Sequence, residues 1–117
     1  MSNANCLFCK IVAGEIDADI IYETEHLLAF RDINPQAPTH VLIIPRRHVA
    51  TINDIAAAEA EDEIGRLYGA AAHIARQEGI ADDGYRVVMN CNEAAGQTVF
   101  HLHLHLLGGR SLGWPPG

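Results

Sequence analysis

Between Val99 and Leu107 imidazole and aliphatic side chains alternate strictly, His101, His103 and His105 against Leu102, Leu104 and Leu106. On a β-strand a period of two sends the three histidines to one face and the leucines to the other, so one face can react while the other packs. A strand rises about 3.3 Å per residue, which places His101 and His105 on the order of 13 Å apart and each of them about 7 Å from His103. That spacing is too wide for three imidazoles on one ion. It suits a central reacting group, His103, with a flanking imidazole on either side.

A second chemical signal opens the chain. Cys6-Leu7-Phe8-Cys9 offers two soft thiolates at a spacing that clasps one zinc, but a closed structural site needs four ligands, so two must come from elsewhere. His48, just after an apolar run ended by Pro45, has the position of a third. A thioredoxin-like redox pair is the competing reading, weakened because no strand precedes the motif. Between these signals lie two loops with binding character. Asp32 heads the proline-rich stretch Asp32 to Thr39, where its carboxylate either caps a turn or accepts from a pair of ribose hydroxyls. Asn92-Glu93-Ala94-Ala95-Gly96-Gln97-Thr98 leads into the histidine row with amide, hydroxyl and backbone N–H donors suited to a phosphate.

The elements that must position these groups follow from the pattern. Leu7 to Ala13 reads as one or two helical turns stopped by Gly14. Ile20 to Glu23 and Leu27 to Arg31 read as a hairpin with His26 solvated at its turn, and His40 to Pro45 as a strand covered on both faces. Ile55 to Glu78 reads as one long helix with the apolar stripe Ile64, Leu67, Tyr68, Ala71, Ile74 and Ala75, acids near its start and His73 on its wetter side. Tyr85 to Asn90 is a further strand, and the histidine row the last. Arg46 and Arg47 read as a solvated pair, Cys91 as a packed or idle thiol, and the chain-terminal Trp114 as a ring that needs a surface.

Length and composition set bounds. The 117 residues, 49% of them hydrophobic, fit one domain over residues 1–117. A formal charge of −7 argues against a nucleic-acid partner. The N-terminal stretch from Met1 to Asn5 lacks a leader pattern and no apolar run approaches a membrane span, so a cytoplasmic protein without a membrane partner is expected. Three cysteines, an odd count, do not form a disulfide framework.

The run His101-Leu-His103-Leu-His105-Leu-Leu107 resembles the signature of the histidine triad (HIT) family. Phe8-Cys9-Lys10-Ile11-Val12, Leu28 to Ile33, Pro35 to His40, Ile44-Pro45-Arg46-Arg47-His48, Gly96 to Phe100, Leu107-Gly108-Gly109-Arg110 and the terminal Trp114-Pro115-Pro116-Gly117 are similar to its nucleotide-binding (HINT) branch. The resemblance implies an α+β fold, with an antiparallel sheet of about five strands, one long and one short helix, and a sheet continuous across a homodimer. It implies hydrolysis of purine nucleoside 5′-phosphoramidates, AMP or GMP joined through nitrogen to an amine or lysine, by way of a nucleotidyl-histidine on His103. His105 and Thr98 would stabilise the phosphoryl oxygens, and His40 would help protonate the leaving amine. Phe8, Ile11, Phe30 and Ile33 match the base pocket, Asp32 the ribose contact, and Asn90, Gly96, Gln97 and Thr98 the phosphate side. Trp114 matches a tryptophan near the partner subunit's site. Bacterial relatives of this kind keep a structural zinc on residues matching Cys6, Cys9, His48 and His101, and no organic cofactor is implied. Thr98 stands where serine is common and Gly113 where a side chain is usual. The alternatives are a dinucleoside polyphosphate hydrolase of a sister branch, disfavoured by Trp114-Pro115-Pro116-Gly117, and a nucleotide-binding regulatory protein with incidental turnover.

Overall fold

The computed structural model describes residues 3–117. Met1 and Ser2, part of the stretch inspected for a leader, lie outside the described residues. The elements are α1 (Leu7–Val12), β1 (Ile20–Glu23), β2 (Leu27–Arg31), β3 (Thr39–Pro45), α2 (Glu61–Gln77), β4 (Tyr85–Val88) and β5 (Leu104–Gly108). The strands form one antiparallel sheet in the order β1-β2-β3-β5-β4, with two helices, as the α+β expectation required. Among the described residues no helix is long and apolar enough to cross a membrane.

β3 is central and buried along its whole length, and its alternation divides the core in two. Val41 and Ile43, with Leu27, Ala29, Leu104 and Leu106, face Leu67, Ala71, Ile74 and Ala75 of α2. Leu42 and Ile44, with Leu28 and Phe30, face Phe8, Cys9 and Ile11 of α1. Burying each of the Val, Leu, Ile and Phe side chains among them is worth roughly 1.5–3 kcal/mol. The surface ion pairs that also join the layers, Arg31 with Glu78 and Arg47 with Glu63, are screened by solvent and add little beside that burial. Packing therefore holds the helices to the sheet, and the ion pairs trim their ends.

Several boundaries differ from expectation for identifiable reasons. α2 begins at Glu61, not Ile55. Thr51 and Asp54 close a reciprocal cap on a short turn at Ile52–Asp54, and Glu59 takes φ 53°, which turns the chain before the helix can start. The acids Glu61, Asp62 and Glu63 then occupy the first helical turn, where the dipole favours them. Within the stripe Tyr68 is exposed and Ala70 is buried in its place. Gly14 ends α1 with φ 77°, as read, and Gly79 follows α2 with φ 73°. β4 stops at Val88, short of Asn90.

The histidine row is a strand only from Leu104. β5 pairs with β3 as far as Ile43 opposite Leu104. Beyond that point β3 ends in Pro45, which has no N–H to donate and whose carbonyl is taken by the His101 ring, while Leu102 N–H turns to Val49 O. Arg46 and Arg47 are not a free solvated pair: Arg46 donates to Thr24 O and Glu23, and Arg47 to Ala58 O and Glu63. His73 is half-buried, its ring tilted 37° against Tyr22 with centroids 4.7 Å apart. His26 is exposed at the hairpin turn, as expected.

Candidate active site

The imidazoles of the row lie on the α1 side of the sheet and the leucines Leu104 and Leu106 on the α2 side, so the period-two division survives the shortened strand. His103 is buried between the Phe8 ring, 5.1 Å away and perpendicular to it, and His105, whose ring centroid is 5.0 Å away. Its Nδ1 lies 2.8 Å from the His101 carbonyl. A carbonyl only accepts, so Nδ1 carries the proton and Nε2 is left with a bare lone pair. Burial lowers the affinity of this ring for a second proton, opposed by the bond to His101.

His105 and His40 form a directed pair. The Gln36 backbone N–H donates to His40 Nδ1 at 3.0 Å, and a backbone amide can only donate. His40 therefore carries its proton on Nε2, which lies 2.9 Å from His105 Nδ1. That nitrogen must accept, so His105 presents an N–H at Nε2. Desolvation by burial pushes His105 down to about 4, with His103 and His40 adding to it. Burial likewise lowers His40, against the pull of Asp32, whose Oδ2 is 3.5 Å from His40 Nε2. The other Asp32 oxygen accepts from Asn34 N–H at 2.8 Å, the turn cap read in the sequence.

The cysteines join a second cluster of imidazoles. Cys6 Sγ and Cys9 Sγ each lie 3.5 Å from His101 Nδ1, and Cys9 Sγ lies 3.3 Å from His48 Nδ1. All four ligand atoms fall within 4.8 Å of one another. His101, wholly buried, donates from Nε2 to Pro45 O at 2.8 Å, so its Nδ1 faces the sulfurs as a lone pair. Zn–S and Zn–N bonds of about 2.3 and 2.0 Å at a tetrahedral angle subtend an edge of about 3.5 Å. The residues present thus fit a zinc ion in donor type, number and spacing, and a carbonyl behind the histidine ligand fixes its tautomer. Burial raises the Cys9 thiol above the ordinary thiol range.

The remaining expected residues divide. Phe8, Ile11 and Phe30 sit in one buried cluster, with the Phe8 and Phe30 rings 5.5 Å apart edge to face. Ile33 stands apart from it, fully exposed. Asn90 is half-buried just beyond β4. Gly96 holds φ 88° after the turn Glu93–Ala95. The buried Gln97 is spent on the backbone: its amide accepts from Asn92 N–H and donates to Ala50 O and Val99 O. Thr98 is exposed and lines a cleft with Cys6, His48 and Phe100. Arg86 anchors the tail at Gly113 O, leaving Trp114 83% exposed. Cys91 is half-buried and free. A carbonyl acceptor behind His103 follows from the nucleophile role, and His101 O supplies it; the Gln36 N–H behind His40 and the Pro45 carbonyl behind His101 were missed in the sequence because any residue type supplies such groups.

Residues 13–112 match the family model described as HIT domain. Over 107 residues the chain is 56% identical to the purine nucleoside phosphoramidase of Escherichia coli (strain K12), covering 92% of this chain and 89% of that protein. It is 48% identical over 118 residues to the 14 kDa zinc-binding protein of Zea mays, covering 100% of this chain and 91% of that one. Among solved structures, the HIT family hydrolase from Legionella pneumophila Philadelphia 1 superposes with a TM-score of 0.93 at 53% identity, covering 97% of this chain and all of that one. With the sheet, the triad and the family model in agreement, the chain belongs to the histidine triad family, whose domain it carries over residues 13–112.

Proposed function

We propose that this protein hydrolyses the P–N bond of purine nucleoside 5′-phosphoramidates, AMP or GMP amidates, through a nucleotidyl intermediate on His103. The observation that carries the reading is the bare Nε2 of His103, fixed by the 2.8 Å bond from Nδ1–H to the His101 carbonyl. Likeness to the E. coli phosphoramidase supports the substrate class. Nε2 attacks the α-phosphorus and forms an N–P bond. The phosphorus–amine bond breaks with its electron pair going to nitrogen, and the departing amine takes its proton from solvent water. His105 Nε2–H, held in that tautomer by His40 Nε2–H on its other nitrogen, donates to a phosphoryl oxygen and stabilises the charge that develops there. Water then attacks phosphorus, the pair of the N–P bond returns to His103, and one water proton returns to solvent. His40, its one N–H already given to His105, acts through His105 and not directly on the leaving amine.

Phe8, Ile11 and Phe30 frame the base with the exposed Ile33 at its edge, Asp32 the ribose, and Asn90 with Gly96 and Thr98 the phosphate side, where Gln97 braces the loop. Zinc on Cys6, Cys9, His48 and His101 is structural in this reading, because four protein ligands leave no position open for a substrate. It supplies cohesion between α1, the end of β3 and the row. Two copies join through the edge strand β4 into one sheet, and the exposed Trp114 finds its surface on the partner. The test is turnover of adenosine 5′-phosphoramidate by the wild type and by His103→Asn, with intact-mass detection of the nucleotidyl adduct during wild-type turnover. Hydrolysis unchanged in the variant refutes the mechanism.

A further inference from the structure

The proton arrangement at His40 and His105 depends on one backbone N–H, that of Gln36. Gln36 lies in a loop poor in donors, since Pro35 and Pro38 have no N–H; its side-chain amide donates to Asn34 O at 3.0 Å, and what holds its carbonyl comes from the far end of β5. Arg110 Nε and Nη2 both donate to the Gln36 carbonyl, at 3.2 and 3.0 Å, and Nη1 donates to Ser111 O at 3.0 Å. Three directions of the guanidinium fork are thus committed to main-chain oxygens, although the side chain is exposed and free to seek a carboxylate. The turn carrying Arg110 is seated closely: Gly109 has φ 90°, and a Cβ there would come within 2.9 Å of Pro38 Cβ. Gln36 is therefore gripped on its carbonyl side by Arg110 and spends its backbone N–H on His40.

We infer that Arg110 is a positioning residue for the reaction: by holding Gln36 it keeps the Gln36 N–H on His40 Nδ1, and thereby the donor proton on His105 Nε2. The inference rests on the proposed roles of His103 and His105. Without the grip, His40 exchanges between its two tautomers. In the wrong one its bare Nε2 forces His105 to protonate Nδ1 and to aim a lone pair at the phosphoryl oxygens. A fixed five-donor fork suits this task, and a lysine ammonium reaches the same carbonyl with a single direction.

The experiment is steady-state hydrolysis of adenosine 5′-phosphoramidate by the wild type, Arg110→Ala, Arg110→Lys, His40→Ala and the double variant Arg110→Ala/His40→Ala, with imidazole ¹⁵N NMR on the zinc-loaded proteins. Arg110→Ala is expected to lower kcat about tenfold with KM within about twofold, and Arg110→Lys to recover part of the loss. On the His40→Ala background the same change should cost less than about twofold, because both act through one chain of bonds. The His40 nitrogens should shift from a single Nε2–H tautomer towards a mixture in Arg110→Ala. An equal loss in both backgrounds, or unchanged His40 signals alongside the loss, overturns the role given to Arg110. If the wild type does not hydrolyse the substrate, the proposed function fails, while the ¹⁵N spectra still decide whether Arg110 sets the His40 tautomer.

Discussion

Two clusters on the same side of the sheet, Cys6/Cys9/His48/His101 and Asp32/His40/His105, both bring potential metal ligands within 4.8 Å of one another. Distance does not separate them; the backbone does. Behind His101 stands a carbonyl, that of Pro45, which takes the ring proton and turns a lone pair towards the thiols. Behind His40 stands an amide, that of Gln36, which occupies the lone pair of Nδ1 and leaves a proton on the nitrogen facing Asp32 and His105. A metal ligand must offer a lone pair, so the first cluster suits zinc and the second suits proton handling. The same residue type, in two clusters on one face of the sheet, receives opposite chemistry from one peptide group each.

Four experiments can break or sharpen that contrast. The largest effect belongs to His103, which serves neither cluster: His103→Ala should lower kcat/KM by about 10⁴-fold or more, as removal of a covalent nucleophile does. AMP affinity measured by calorimetry should stay within about threefold. Next comes metal content. Elemental analysis of protein purified under reducing conditions should give one zinc per chain, none in Cys9→Ser, and still one in His40→Ala. Losing a structural zinc costs several kcal/mol, so Cys9→Ser should melt at least about 10 °C lower. Two zinc ions per chain would erase the distinction between the clusters. His40→Ala should reduce kcat by about 10²-fold at most while leaving that melting temperature nearly unchanged. The smallest effect is that of pH on stability. His105 titrates at about 4 in the native protein against an ordinary 6.5. Between those values the unfolded chain binds a proton that the folded chain refuses, so this contribution is complete above 6.5 and lost as pH falls towards 4. The urea midpoint should be lower at pH 5 than at pH 7.5, and His105→Ala, which keeps all four zinc ligands, should flatten the slope.

The histidine row and the Cys-x-x-Cys pair were legible because they obey spacing rules, whereas the role of His40 and the completion of the zinc set by His48 and His101 came from the family resemblance. The sequence also carried the packing, since Leu104 and Leu106 had to face α2 once the imidazoles faced away. Three things lay beyond it. The strand start at Leu104 depends on Pro45 being opposite the row, a register no local pattern states. The left-handed Glu59 delays α2 although the alanines around it favour helix. The tautomers of His40 and His101 depend on backbone groups, which have no residue identity to read.

The separation along the chain of the proposed zinc ligands has a consequence for biosynthesis. Cys6 and His101 are 95 positions apart, so the ligand set cannot close until nearly the whole domain has been made. Loop closure grows only slowly in cost with length, yet the contact is among the last available to a chain emerging from its N-terminus. Metal uptake is then a terminal step of maturation. On the proposed zinc reading, a nascent chain past position 48 holds three of the four ligands, Cys6, Cys9 and His48, and the set closes only when His101 arrives with the completed sheet.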